Sequence, residues 1–178
     1  LAVVGERMIV AEALVPEVAK AGGIAGHAVV RRLKGAELAG TVCRHPFNGH
    51  GYDFEVPALA ADFVEIDTGT GFVHIAPGHG ADDWELGMKN GVPVPETVDG
   101  DGRFFGHVPM FAGKHVFDVN AEVVEVLKGM GALLASGTLV HSYPHSWRSK
   151  APLIFRNTAQ WFISMENTGL RDTALKAI

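Results

Sequence analysis

Hydrophobic and polar residues alternate in short runs along this chain, and glycine or proline ends most of the runs. The alternation has period 2 over residues 62–67, and an apolar run between glycine-rich turns covers 72–76, so both ranges predict β-strands. Further short apolar runs predict strands at residues 1–4, 8–10, 29–30, 41–43, 139–140, 153–155 and 161–163.

Helical signals occupy four other ranges. Pro16 in a first turn and glycines at the stop predict a short helix over 17–21. Asp82 as N-cap, with Glu85 as its capping-box partner, predicts a helix over 82–90. A third helix is predicted from an Asn120 cap, with its apolar stripe at Val123, Val124, Leu127 and Met130. A fourth is predicted after Asn167-Thr168, with Leu170, Ala174 and Ile178 on one face.

Many short strands and a few helices in irregular order favour the α+β class. The expected architecture is a mixed, β-barrel-like sheet with peripheral helices rather than a doubly wound sheet. The chain starts and stops inside predicted elements, so we expect it to be a segment of a longer polypeptide.

Charge and cysteine content limit the possible functions. The 178 residues carry 15 Lys and Arg against 20 Asp and Glu, a formal net charge of −5. A protein that depends mainly on phosphate contacts has a basic surplus, so any contact with nucleic acid must be local. The single cysteine cannot form an internal disulfide, which fits a reducing cytoplasm, and no apolar stretch is long enough to span a membrane.

Candidate chemistry is concentrated in residues 69–83, where two histidines and two aspartates surround a glycine loop that opens a helix. His74 lies on the predicted strand, and Asp83 is placed to project back over the loop toward it. A carboxylate in that position suits a cation such as a substrate ammonium. Either residue alone also has an ordinary structural explanation, as a first-turn aspartate or a core histidine.

A metal site is an alternative interpretation of the same cluster. His74, His79, Asp82 and Asp83 are possible ligands, but their spacing matches no established ligand motif. We therefore expect no metal here.

The residues of this cluster carry a family resemblance. The string Gly69-Thr70-Gly71-x-Val73-His74-x-Ala76-Pro77-Gly78-His79-Gly80-x-Asp82-Asp83 closely resembles the signature of the editing domain, connective peptide 1, inserted in isoleucyl-tRNA synthetases. Segments at 44–47, 99–104, 117–120, 131–134, 141–145 and 152–162 agree in order, so the resemblance covers nearly the whole chain. Valyl and leucyl relatives share the Gly-Thr-Gly opening and the Asp83 position, but the string from His74 to Gly80 favours the isoleucyl enzyme.

The resemblance implies a domain organisation and a reaction. Residues 1–157 would form the editing domain without its N-terminal threonine-rich segment, and 158–178 would return toward the catalytic Rossmann domain. The reaction would be deacylation of Val-tRNA(Ile), the hydrolysis of an ester that joins the wrong amino acid to the tRNA. Without the threonine-rich wall, the chain alone is expected to hydrolyse this ester weakly or not at all.

The resemblance also implies roles for single residues. Asp83 would bind the α-ammonium of the misattached amino acid, and His74 would line the pocket near the ester and the attacking water. Thr70, Gly71, His79 and Gly80 are further expected substrate contacts.

Expected partners are the tRNA(Ile) 3′ end carrying a non-cognate amino acid and the rest of the synthetase chain, in a cytoplasmic monomer that does not contact membranes. No cofactor is expected in this chain, because ATP and magnesium would belong to the catalytic domain of the parent enzyme. Ser146-Trp147-Arg148-Ser149 stands where many relatives carry Cys-x-x-Cys, so no zinc is expected at this position. A metal-dependent hydrolase and a non-catalytic RNA-docking insert remain the alternatives.

Overall fold

The computed structural model describes residues 2–4, 7–67, 69–138 and 140–178. The strands are β1 (Ala2–Val4), β2 (Arg7–Ile9), β3 (Val42–Arg44) and β4 (Glu55–Pro57). The helices are α1 (Val15–Ala21), α2 (Ala81–Lys89), α3 (Asn120–Gly129) and α4 (Leu170–Lys176), with 3₁₀ turns at Glu12–Leu14 and Gly35–Leu38.

The strands form two antiparallel pairs. Val3 lies opposite Met8 in the first pair, and Cys43 lies opposite Val56 in the second. The strands predicted at 8–10 and 41–43 are confirmed with shifts of one residue, as is the described part of the strand at 1–4. Leu1, the expected Gly5-Glu6 turn, Thr68 and Leu139 lie outside the described residues.

The strands predicted at 62–67 and 72–76 are wrong, as are those at 29–30, 153–155 and 161–163. An alternating sequence becomes a strand only when a neighbour accepts its backbone hydrogen bonds. In 72–76 these bonds go elsewhere, since the Phe72 N–H is donated to the Thr70 hydroxyl and the Ala76 N–H to the Asp83 carboxylate. Val140, the described half of the strand predicted at 139–140, is also irregular.

The α+β class is confirmed, but the barrel-like arrangement is not. Within the described residues the strands make two separate two-stranded sheets, with no closed barrel. Sheets this small leave most of the backbone to turns and loops, and the site is built on those loops.

All four predicted helices are present, whereas the predicted caps are wrong in three of them. α2 begins after Gly80, whose carbonyl accepts the Trp84 N–H at 2.9 Å, so Asp82 lies inside the helix and forms no capping box with Glu85. α3 begins after Val119 rather than Asn120. α4 begins after Gly169, which has a φ of 65°.

The core lies where α3 packs on an aromatic cluster. Phe47, Phe111 and Val119 are buried, and Val123, Val126 and Leu127 of α3 pack against them together with Met130, which directly follows the helix. Val126 therefore takes the place in the apolar stripe that the sequence assigned to Val124. This core does not extend to residues 161–163, where Trp161 is 99% exposed.

Candidate functional site

The Asp83 carboxylate folds back over the loop that precedes α2. Its Oδ2 accepts the Ala76 N–H at 2.8 Å. A Cβ atom added to Gly80 would lie only 3.1 Å from the same oxygen, so the absence of a side chain at Gly80 leaves room for the carboxylate. The carboxylate thus lies back over the loop, as predicted, whereas its approach to His74 stays a prediction.

The loop itself is held by short contacts. The N–H groups of His79 and Gly80 both donate to the Ala76 carbonyl, at 2.8 and 3.2 Å. Pro77 packs under α2, where a Cβ atom on Gly87 would approach the proline ring to 2.8 Å. The loop and the first turns of α2 therefore form one unit that fixes the carboxylate.

The Gly-Thr-Gly turn packs against the N-terminal part of the chain. Gly69 and Gly71 have φ values of 67° and 78°, in the region that favours glycine. The Thr70 carbonyl accepts the Ala11 N–H at 2.9 Å, and a Cβ atom on Gly71 would lie 2.5 Å from the Ala11 Cβ. Among the described residues no hydrogen bond joins Thr70 to Asp83. The turn is therefore connected to the Asp83 carboxylate only through the backbone of residues 72–76.

His74 is exposed and makes no hydrogen bond with a described residue. It lies near His45, whose pKa is lowered first by burial and then by the charge of His74. The His45 Nδ1 accepts the Phe47 N–H at 3.0 Å, which leaves the proton of the neutral ring on Nε2. The structure thus brings together two histidines that are 29 positions apart, a proximity that the sequence did not predict.

The side chains of His79 and Asp83 form hydrogen bonds with different parts of the chain. Its Nδ1 lies 2.5 Å from the Phe155 carbonyl oxygen, and its Nε2 lies 3.3 Å from the Thr97 hydroxyl. Because a carbonyl only accepts, Nδ1 is the donor in the first contact. His79 therefore ties the loop to residues 97 and 155.

An open cleft of about 230 Å³ lies beside the loop. Residues 77–81 and Trp84 line one part of it, and residues 155–157 line the rest. Trp84 was missed from the sequence, although a tryptophan directly after Asp83 at an exposed helix position was an available signal. Trp84 and Phe155 are 50% and 54% exposed.

Ser146 and Ser149 stabilise a turn. The Ser146 hydroxyl accepts the Ser149 N–H, and the Ser149 hydroxyl accepts the Ala151 N–H, both at 3.3 Å. The described residues contain no group of three or more histidine, cysteine, aspartate or glutamate side chains placed to hold a metal ion. Among the same residues, no helix has the length and apolar character needed to cross a membrane.

Comparison with known proteins identifies a family to which this chain is similar. The family model described as "Leucyl-tRNA synthetase, editing domain" matches residues 10–116. An isoleucine–tRNA ligase of Pelagibacter ubique is 51% identical over 173 residues, which are 97% of this chain and 19% of that protein. The corresponding protein of Methylococcus capsulatus is 49% identical over 173 residues, 97% of this chain and 18% of that protein. The chain thus spans about a fifth of the length of these relatives.

Proposed function

Because the chain belongs to the family of leucyl-tRNA synthetase editing domains, we propose that it hydrolyses a wrongly attached amino acid from tRNA. The resemblance to a synthetase editing domain that the motifs indicated is confirmed. Similarity to isoleucine–tRNA ligases along nearly the whole chain supports Val-tRNA(Ile) as the substrate and an isoleucine-specific synthetase as the parent enzyme.

The observation that carries the proposal is the position of the Asp83 carboxylate. Oδ2 is held by the Ala76 N–H, whereas Oδ1 accepts no hydrogen bond from a described residue. An ionised carboxylate only accepts hydrogen bonds, and an ammonium only donates them. Oδ1 is therefore suited to bind the α-ammonium of an aminoacyl ester, and such charge-assisted bonds are stronger than neutral ones.

His74 has the second role in the proposed reaction. Its exposed imidazole can orient a water molecule or carry a proton as that water attacks the ester carbonyl carbon. The bond between the carbonyl carbon and the ribose oxygen then breaks, releasing free valine and the ribose hydroxyl. Fixing the ester and the water in one geometry supplies much of the acceleration.

Several parts of the proposal lie beyond this chain. The parent enzyme would join isoleucine to tRNA(Ile) with ATP and magnesium bound elsewhere, as a cytoplasmic monomer. Direct substrate contacts by Thr70, Gly71, His79 and Gly80 remain predictions, as do the domain boundary at 157 and the absence of zinc at 146–149.

Asp83→Ala in the full-length enzyme tests the proposal. We expect deacylation of Val-tRNA(Ile) to fall at least about 100-fold, because the variant loses a charged contact that positions the substrate. Aminoacylation with isoleucine should be unchanged, so Val-tRNA(Ile) should accumulate when valine is supplied. Deacylation would be followed by release of labelled valine.

Asp82→Ala is the matched control, because Asp82 is the adjacent first-turn carboxylate and makes no hydrogen bond or ion pair with a described residue. It should deacylate at the wild-type rate. Equal loss in the two variants would instead indicate a general effect of negative charge at the start of α2. Loss of deacylation on adding a chelator would favour the metal-dependent hydrolase.

A further inference from the structure

The cleft beside residues 77–81 is lined by two half-exposed aromatic residues. Trp84 follows Asp83 directly in α2, and Phe155 comes from a segment far along the chain. Many large apolar side chains of this chain are exposed, but these two lie on one concave surface, where such side chains mark a binding site. The cleft is also polar in part, because residues 156 and 157 are arginine and asparagine.

The Phe155 wall is preformed. The Tyr143 ring packs edge-on against the Phe155 ring, with 6.4 Å between centroids and planes at 83°. The Tyr143 hydroxyl donates to the Leu153 carbonyl at 2.6 Å, and the His79 ring donates to the Phe155 carbonyl. A ligand therefore meets a rigid surface here, which lowers the entropic cost of binding.

Arg156 supplies the positive charge of the cleft. It forms no ion pair within 4.0 Å among the described residues, in contrast to Arg32, Lys114, Lys128 and Arg171. Asp99 is near enough for the Arg156 charge to add to the lowered pKa of that carboxyl, which is set mainly by the hydrogen bond from the Arg103 N–H. The exposed Arg156 guanidinium remains available to an anion.

We propose that this cleft binds an unpaired nucleobase of the tRNA 3′ end in contact with Trp84 and Phe155, with Arg156 contacting a neighbouring phosphate. The inference rests on the proposed function, because it takes the mischarged tRNA as the substrate. Flat aromatic rings combined with a cation are the surface that binds single-stranded nucleic acid without reading a long sequence. A base held beside residue 84 would bring the attached ester close to Asp83.

The local character of this site also agrees with the overall charge. A chain with a net charge of −5 cannot hold RNA by a broad basic surface, so base stacking and one or two cations must supply the affinity at this end of the tRNA. An apolar peptide segment would leave Arg156 without a partner, which makes it the less favoured occupant.

The test is binding of an acceptor-stem minihelix, with 2-aminopurine at the 3′-terminal position, to the full-length enzyme. The fluorescence of this base is quenched when it stacks on an aromatic ring. We expect quenching with the wild type, and for Trp84→Ala a loss of quenching together with binding that is about tenfold weaker. Trp84→Phe should retain most of both signals, because it keeps an aromatic face.

Trp147→Ala is the matched control, because Trp147 is 75% exposed, lies outside the cleft and packs on Arg148. It should leave affinity and quenching unchanged. Arg156→Ala should weaken binding and reduce the slope of log affinity against log salt by about 0.7, the contribution of one phosphate contact on a single strand. Lys128→Ala, on α3, should not change this slope.

The outcomes separate the cleft from the editing reaction. If the Trp84→Ala variant binds the minihelix and quenches its fluorescence as the wild type does, the inference is wrong, even if deacylation depends on Asp83. Quenching that needs Trp84 in an enzyme without deacylation supports the cleft and overturns the proposed function. If Trp84→Ala leaves RNA binding intact but lowers the Tm, another segment of the polypeptide fills the cleft and the inference is wrong.

Discussion

His45 is held in its neutral form by its surroundings. Its ring stacks on Tyr52 with 4.7 Å between centroids and an angle of 12°, and its Nδ1 accepts the Phe47 N–H. Burial and the charge of His74 both lower its pKa below the usual 6.5. Protonation at Nδ1 would break the hydrogen bond from Phe47, so these contacts favour the same uncharged state.

The lowered pKa of His45 predicts a pH dependence of stability. Below about pH 6.5 the unfolded chain binds a proton at this residue before the folded chain does, so the free energy of unfolding falls as the pH falls. His45→Phe should remove this contribution, which urea unfolding at pH 5 and pH 7 would measure.

The matched control for this prediction is His50→Phe. His50 is exposed and its side chain makes no hydrogen bond with a described residue, so the pH dependence should stay as in the wild type. A His45→Phe variant with the wild-type pH dependence would show that other groups cause the loss of stability in acid.

At the scale of elements, the Gly-Thr-Gly turn offers a pair of substitutions that separates two effects. Gly69→Ala meets only conformational strain, because a Cβ atom there has no neighbour within 4 Å. Gly71→Ala meets the same strain and also a clash with Ala11. We expect a loss in the free energy of unfolding of about 1 kcal/mol for Gly69→Ala and about 3 kcal/mol for Gly71→Ala.

Chemical denaturation of both variants would measure this difference. Gly71→Ala should also slow deacylation more than Gly69→Ala, because residues 72–76 connect the turn to the Ala76 N–H that holds Asp83. Equal losses of stability in the two variants would mean that the contact with Ala11 contributes nothing. Gly69 is thus explained by its positive φ, and Gly71 by its positive φ together with the close packing against Ala11.

The elements differ in how far the sequence predicts them. The helices were found at nearly their observed positions because their hydrogen bonds join residues four apart. Their N-caps are less predictable. Residue type favours Asp82 as the N-cap of α2, whereas the observed N-cap is Gly80, whose carbonyl accepts the Trp84 N–H. The strand predicted at 72–76 failed because its Ala76 N–H is bonded to a side chain instead of a neighbouring strand.

At the scale of the whole molecule, the small core and the exposed apolar tail suggest dependence on further polypeptide. Trp161 and Phe162 are 99% and 87% exposed, and the curated relatives are about five times as long as this chain. We predict that the 178-residue chain alone deacylates Val-tRNA(Ile) about 100-fold more slowly than the full-length enzyme, because these exposed apolar side chains lack packing partners in the described part of this chain and the ester is less well positioned.

Release of valine by the chain alone and by the full-length enzyme would test this prediction. Full activity of the 178 residues alone would show that they contain the complete pocket.

The sequence by itself determined the α+β class, the positions of the helices and the resemblance to a synthetase editing domain, because these depend on local patterns and short motifs. The tertiary structure alone decided that Asp83 bonds to Ala76, that His79 bonds to Phe155 across 76 positions, and that Trp84 shares a cleft with Arg156. Such contacts join residues whose separation in the chain carries no period, so only the folded backbone brings them together.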